Sequence, residues 1–153
     1  MKGSVVAICI SQTAGGKMQQ VNEVRAIAGS GLLGDRYCYG KGSFNKKNPG
    51  TRQVTLMNSI FFANTNFQYF ESRRNIFTKD VELMWLIGRE FKIGTSTFKG
   101  VKYCDPCNRP SKLSSHWESF QEIFFDRGGL VAEVLENGVI RVGDTVIPPP
   151  KGY

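Results

Sequence analysis

"LVAEVLENGVIRVGDTVIP", residues 130–148, decides the fold class. Val, Ile and Leu crowd this stretch without a helical period, and Asn-Gly and Gly-Asp interrupt it. Branched apolar residues bounded by turn formers read as short strands. Asn137–Gly138 predicts a two-residue hairpin turn, because both residues tolerate a positive φ. Just upstream, "REFKIG" and "TSTFKGVKY" (89–103) predict two more strands joined at Gly94.

Further out the same reading holds. Residues 2–10 contain "SVVAICI", a continuous apolar run that predicts a strand buried on both faces. "VNEVRAI" (21–27) and "TRQVTLM" (51–57) predict two further strands. Between them, residues 28–50 carry Gly29, Gly31, Gly34, Gly40, Gly42 and Gly50 and end in the turn-forming "KKNPG". So long a connection within a compact domain is functional or mobile. Helices are few. Asn58 is placed to cap a helix reaching to about Ser72, with Ile60, Ala63, Phe67 and Phe70 as its apolar stripe. A short helix is expected over 81–87. "HWESFQEIFFDR" (116–127) predicts another, with Trp117, Phe120 and Phe124 on one side and Gly128–Gly129 as its stop. Many short strands, few helices and Gly-rich turns predict a β-rich domain, either a barrel or a sandwich.

The chain has 153 residues, the size of one domain spanning 1–153, with a loose tail from about 148 in "PPPKGY". An apolar share of 41% suits a globular core. The run at 4–10 is too short to span a membrane, and the lone Lys2 with no cleavage signature does not make an export signal. A cytoplasmic location is therefore expected, with Cys9, Cys38, Cys104 and Cys107 as free thiols. Twenty Lys and Arg against thirteen Asp and Glu leave a net charge of +7, which favours an anionic partner. The charge concentrates at Lys41, Lys46, Lys47 and Arg52 and at Arg73–Arg74, without a long basic run. With no RNA-recognition motif and no zinc-finger spacing, nucleic acid is a minority reading, kept as a third alternative in which the barrel binds DNA or RNA.

"YCDPCNRP", residues 103–110, holds the most reactive chemistry. A zinc site needs four ligands, and Cys104 and Cys107 supply two, with His116 the only histidine and no second C-x-x-C. A thioredoxin-type pair needs a helix opening at the first cysteine, and Pro110 argues against a helix there. A single reactive thiolate is the third reading, with Arg109 bringing positive charge near Cys107. Two buried, inert thiols are the fourth. "GDRY" (34–37) reads locally as a turn, "RRN" (73–75) as a solvated helix end and "RGG" (127–129) as a helix stop.

Taken in order, "GLLGDRY", "RQVTLM", "RRNI", "VELMWLIGREFKIG", "CDPC" and "RGGLVAEVLENGVIRVGD" resemble the MOSC family. This domain closes molybdenum cofactor sulfurases and also occurs as small stand-alone bacterial proteins, which this chain resembles. The resemblance implies a distorted closed barrel of the type inserted in pyruvate kinase. It implies that Cys107, in its Pro-Cys context, ligates molybdenum or carries sulfur as a persulfide. Cys104 resembles a second cysteine of the short members. Arg73, Arg74 and Asn75 match a motif expected to face the phosphate and pterin of molybdopterin. Asp35 and Arg36 match a "GDRH"-type motif, with Tyr37 in the histidine's place, and Arg127 matches the arginine of "RGG". The implied functions are cofactor binding with reduction of N-hydroxylated substrates through an electron-transfer partner, sulfur transfer supplied by a cysteine desulfurase, or carriage of the cofactor without catalysis.

Overall fold

The computed structural model describes residues 2–45 and 50–150. Most of "KKNPG", with Lys46 and Lys47, and the last three residues of the tail lie outside the described residues. Eleven strands form: β1 (Gly3–Ile10), β2 (Gln19–Val21), β3 (Glu23–Ile27), β4 (Gly31–Leu32), β5 (Val54–Asn58), β6 (Ile76–Lys79), β7 (Glu90–Ile93), β8 (Ser96–Tyr103), β9 (Leu130–Glu136), β10 (Gly138–Arg141) and β11 (Thr145–Ile147). Seven of them, in the order β11-β7-β8-β9-β5-β6-β1, close on themselves where β1 pairs with β11. The ring is mixed, because β5 and β6 run parallel and the remaining pairs antiparallel. The barrel is therefore the form taken, rather than the sandwich. No helix among the described residues is long and apolar enough to cross a membrane.

Strand residues sort into two cores by alternation. Leu56 and Ile76 face the barrel interior with Ile8, Phe91, Phe98, Leu130 and Val146. Their neighbours Met57 and Phe77 face outward, into a second cluster with Phe62, Phe67, Phe120 and Phe124. A strand buried on both faces has no polar side, which is why β1 reads as a continuous apolar run, and β5 is likewise buried on both faces from Val54 to Met57. On β1 a bulge between Val5 and Ala7 breaks the alternation. Val5 and Ile8 consequently both point inward, while Ala7 and Cys9 join the outer cluster.

Asn137–Gly138 does not make a hairpin. β9 stays in the barrel, and β10 leaves it to pair with β3 in a separate three-stranded sheet with β4. Asn137 is used elsewhere: its Oδ1 accepts from the Ala28 N–H at 2.7 Å. Gly138 is required for close packing, since a Cβ there would sit 2.4 Å from the Thr95 carbonyl carbon.

The expected helix over 58–72 is also absent. Two 3-10 turns, Ser59–Phe62 and Tyr69–Ser72, flank an irregular stretch in which Asn64 takes a left-handed φ of 63°. Asn58 caps nothing, and its Oδ1 accepts from the Thr78 hydroxyl. Ile60 is 73% exposed, while Phe62 and Phe67 turn inward. Contacts of these rings with Phe77, Phe120 and Phe124 outweigh a helical period that would have buried Ile60. The 81–87 segment forms a 3-10 turn over Leu83–Leu86, with Glu82 accepting from Met84 N–H. In 116–127 only α2 (Phe120–Ile123) is helical, and Trp117 is 89% exposed. A helix not expected, α1 (Arg109–Leu113), forms around Pro110. Proline is tolerated in a first turn, where its missing N–H would have had no partner.

Segments 59–75 and 105–128 thus form a cap over the outer aromatic cluster.

Candidate functional site

Cys107 lies half-buried on the wall of a narrow cavity of about 30 Å³, with Arg36, Arg52, Arg73, Arg74 and Arg109 around it. Each arginine is fixed by a different device. Arg36 enters a 3-10 turn (Arg36–Tyr39) that begins at Asp35. The buried Asp35 carboxylate accepts from Ser11 N–H and Arg36 Nη1, both at 3.0 Å, and from Tyr37 N–H. Arg36 Nη2 then donates to the Arg73 carbonyl at 3.1 Å. Asp35 is the positioning group of this motif and does not line the cavity.

Tyr37 forms a platform. Its buried ring packs under the Arg36 guanidinium at 4.4 Å and near that of Arg52 at 5.7 Å. Gly42 is required by this ring, because a Cβ there would lie 2.3 Å from it. Asn45 ties the loop together through its amide, which donates to the carbonyls of Tyr37 and Arg52. Arg52 also covers Phe44, and its Nη2 donates to the buried Cys104 sulfur at 2.8 Å.

Arg73 occupies a left-handed φ of 64° at the end of its turn, and its Nη1 donates to Gly16 O at 2.7 Å. Burial first, and then the charges of Arg36 and Arg109, lower its pKa to about 10. It remains a cation at neutral pH. Arg74 is buried, with Nε donating to Gly128 O at 2.8 Å and Nη1 to Ser72 O at 3.3 Å.

Among the described residues, three guanidinium nitrogens of these lining arginines are buried without a partner: Arg52 Nε, Arg73 Nη2 and Arg74 Nη2. Buried donors left unpaired are costly, and like charges in one cavity repel. Five arginines against the single carboxylate of Asp35 leave the surroundings of this cavity strongly cationic. The cavity has room for about two waters or one small oxyanion. It adjoins a wider cleft of about 430 Å³, with Gly15 and Arg73 on both walls and Lys17, Phe70, Glu71 and Leu113 on the outer one.

Two of the motif residues stand apart. Asn75 is wholly buried, with Oδ1 accepting from Thr55 N–H and hydroxyl and Nδ2 donating to Cys9 O. It ties β5 to β1 and does not line this cavity. Arg127 lies over the Phe61 ring at a different cleft, beside Asp126 and Glu82. The glycines after it serve packing: a Cβ on Gly128 would sit 2.0 Å from Cys104 O, and one on Gly129 2.0 Å from Leu56 O. Arg52 and Arg109 complete the ring of cations. The sequence offered Arg109 only as a charge near Cys107, and Arg52 as part of a basic concentration and as the first residue of "RQVTLM", without a site role. The motif "RQVTLM" begins at Arg52 but says nothing of its role, because its place depends on Asn45, seven residues away, and on Cys104, far along the chain. Among the described residues no group of three or more His, Cys, Asp or Glu could hold a metal ion between them. The zinc reading of the cysteine pair therefore has no second half-site.

A family model described as MOSC domain matches residues 52–147. Among solved structures, the YuaD protein of Bacillus subtilis superposes with a TM-score of 0.75 at 15% identity, over 95% of this chain and 94% of that one. YiiM from Geobacillus stearothermophilus gives 0.72 at 13% identity, over 99% and 77%. YiiM from Escherichia coli gives 0.63 at 13%, over 97% and 70%. At such identities the likeness is one of fold. No protein of curated function matches the sequence.

Proposed function

Since the chain belongs to the MOSC domain family, we propose that it binds the molybdenum cofactor, with Cys107 as the thiolate at the metal. The observation that carries this reading is the convergence of Cys107 with five arginines, three of them holding unpartnered buried nitrogens. An anionic, phosphorylated cofactor answers those donors, and a thiolate suits a soft metal. Arg36, Arg52, Arg73, Arg74 and Arg109 would hold its anionic groups. The inner cavity is too small for a pterin ring, and the wider cleft, which Arg73 also lines, would have to hold it. When bound, the cofactor would supply two-electron redox chemistry. N-hydroxylated compounds are the substrate class, and electrons come from a partner protein, since four cysteines without ferredoxin spacing provide no cluster.

The small inner cavity favours a second use of the same thiol, as a persulfide carrier. A sulfane sulfur is compact, and a cationic surround favours the thiolate that accepts it. Expression in a molybdenum-competent host separates the two. Co-purified molybdenum and pterin, lost in Cys107→Ser, support the first. Protein free of both that bears a cyanide-labile sulfur on Cys107 supports the second. Absence of all three sinks both.

A further inference from the structure

The inner cavity is matched to a small oxyanion, and a nucleophilic sulfur stands on the same wall. We propose that it takes a thiosulfate-type donor, an oxyanion carrying a sulfane sulfur, and passes that sulfur to Cys107. The inference rests on the carrier reading of Cys107 given above.

Three observations converge on it. The cavity, at about 30 Å³, admits an oxyanion and little more. Arg74, a lining residue, is 7% exposed with its Nη2 buried and unpartnered, and the lining residues Arg73 and Arg52 each carry an unpartnered buried nitrogen as well. Guanidinium donors are the natural partners of a sulfonate group, which offers several acceptor oxygens. Lastly, Cys107 shares this wall, whereas Cys104 is buried and already accepts from Arg52.

The step balances without an outside oxidant. Cys107 loses its proton to solvent, and the thiolate attacks the outer, sulfane sulfur of the donor. A sulfur–sulfur bond forms to Cys107 as the donor's own sulfur–sulfur bond breaks. Sulfite leaves with the bonding pair, and Cys107 keeps a persulfide. The arginines do twofold work, seating the sulfonate and stabilising the charge that grows on it as sulfite departs.

The test uses the whole reduced protein with two sulfur donors, thiosulfate and a neutral organic trisulfide. The trisulfide carries sulfane sulfur but no oxyanion; attack by the Cys107 thiolate on its central sulfur leaves a mixed trisulfide on Cys107 and releases one thiolate. Intact-mass analysis reads the added sulfur, peptide mapping places it, and a sulfite assay counts the leaving group. Thiosulfate is expected to add one sulfur to Cys107 with one sulfite released, and Cys107→Ser to abolish both. Inorganic phosphate should compete with thiosulfate and leave trisulfide loading unchanged. Arg73→Lys or Arg74→Lys should raise the half-saturating thiosulfate concentration about tenfold or more, and by a larger factor than any change in trisulfide loading. Phosphate competition in the unaltered protein keeps the test decisive should either variant fail to fold. Loading by the trisulfide but not by thiosulfate overturns this inference and leaves the carrier reading standing. Loading by both without phosphate competition overturns the oxyanion site. Loading by neither overturns the carrier reading as well.

Discussion

The barrel and its cap are built on different principles. The barrel is held by continuous ladders, such as the β8–β9 pairing that runs from Thr97↔Glu136 to Tyr103↔Leu130. The cap has short 3-10 turns and two short helices, and single side chains plug its backbone. Ser111 Oγ donates to Glu118 O and accepts from Phe120 N–H, while Asn108 Oδ1 accepts from the Ser119 hydroxyl and Gln121 N–H. Aromatic rings fill beneath it, with Phe120 stacked on Phe124 at 4.4 Å and His116 on Phe67 at 3.9 Å. Arg73, Arg74, Cys107 and Arg109 all come from the cap. The rigid part of the molecule is therefore a frame, and the chemistry sits on the part fixed by individual contacts.

The largest expected effect lies at the joint of the two. Gly129 combines a φ of 105° with a 2.0 Å approach to Leu56 O, so Gly129→Ala should cost about 4 kcal/mol or more and abolish cooperative folding. Denaturant unfolding followed by circular dichroism reads this, and an unchanged midpoint would refute the packing argument. Next comes the contrast between a barrel thiol and a cap thiol. Burial pushes the Cys9 thiol from its usual 9.0 up to about 12. Mild alkylation at pH 8 should label Cys107 first and leave Cys9 unmodified. The fold favours the protonated form of Cys9. That contribution is whole below pH 9 and is lost as pH rises toward about 12, so stability should fall in that window. Prior labelling of Cys9 would reverse the contrast.

Within the cap, Phe120→Ala should cost about 3–5 kcal/mol through the cavity it leaves. It should also speed alkylation of Cys107, because Phe120 packs beneath Arg74. Ser111→Ala strands the Phe120 N–H and should cost about 1–3 kcal/mol. Hydrogen exchange should then rise over 109–123 while β8 and β9 stay protected; equal loosening of both would erase the distinction between frame and cap. Arg127→Ala should change stability by no more than about 0.5 kcal/mol and leave Cys107 labelling unaltered, since Arg127 is exposed and away from the cavity. A large effect there would join the second cleft to the site.

The same contrast explains what could be read from the sequence. Strands were legible because burial on one or both faces leaves a pattern of apolar residues in a short run. The exchange of β10 into a second sheet was not, because Asn-Gly is compatible with a hairpin and nothing local reports the Ala28 bond to Asn137. The cap misled for a related reason. Ile60, Ala63, Phe67 and Phe70 have helical spacing, but Phe62 and Phe67 answer to rings far along the chain. In the site, Arg36, Arg73, Arg74 and Cys107 were found as members of motifs, and they do meet at one cavity. Asn75 belongs to the same motif as Arg73 and Arg74, yet it serves the frame, which only its hydrogen bonds reveal.

The seam of the barrel bears on how the protein is made. Gly3 and Ser4 pair with Val146 and Thr145, so the first strand meets its last neighbour across almost the entire chain. On a ribosome the N-terminal strand emerges early, and that part of its edge has no partner until β11 has been synthesised. Pairings so distant in sequence close slowly, because the loop entropy must be overcome before the contact forms. During that interval an apolar strand with an open edge is the most aggregation-prone element of the nascent chain. Slowing synthesis before β11 should therefore lengthen the interval in which this edge can pair with other chains, and chaperone supply should shorten its exposure.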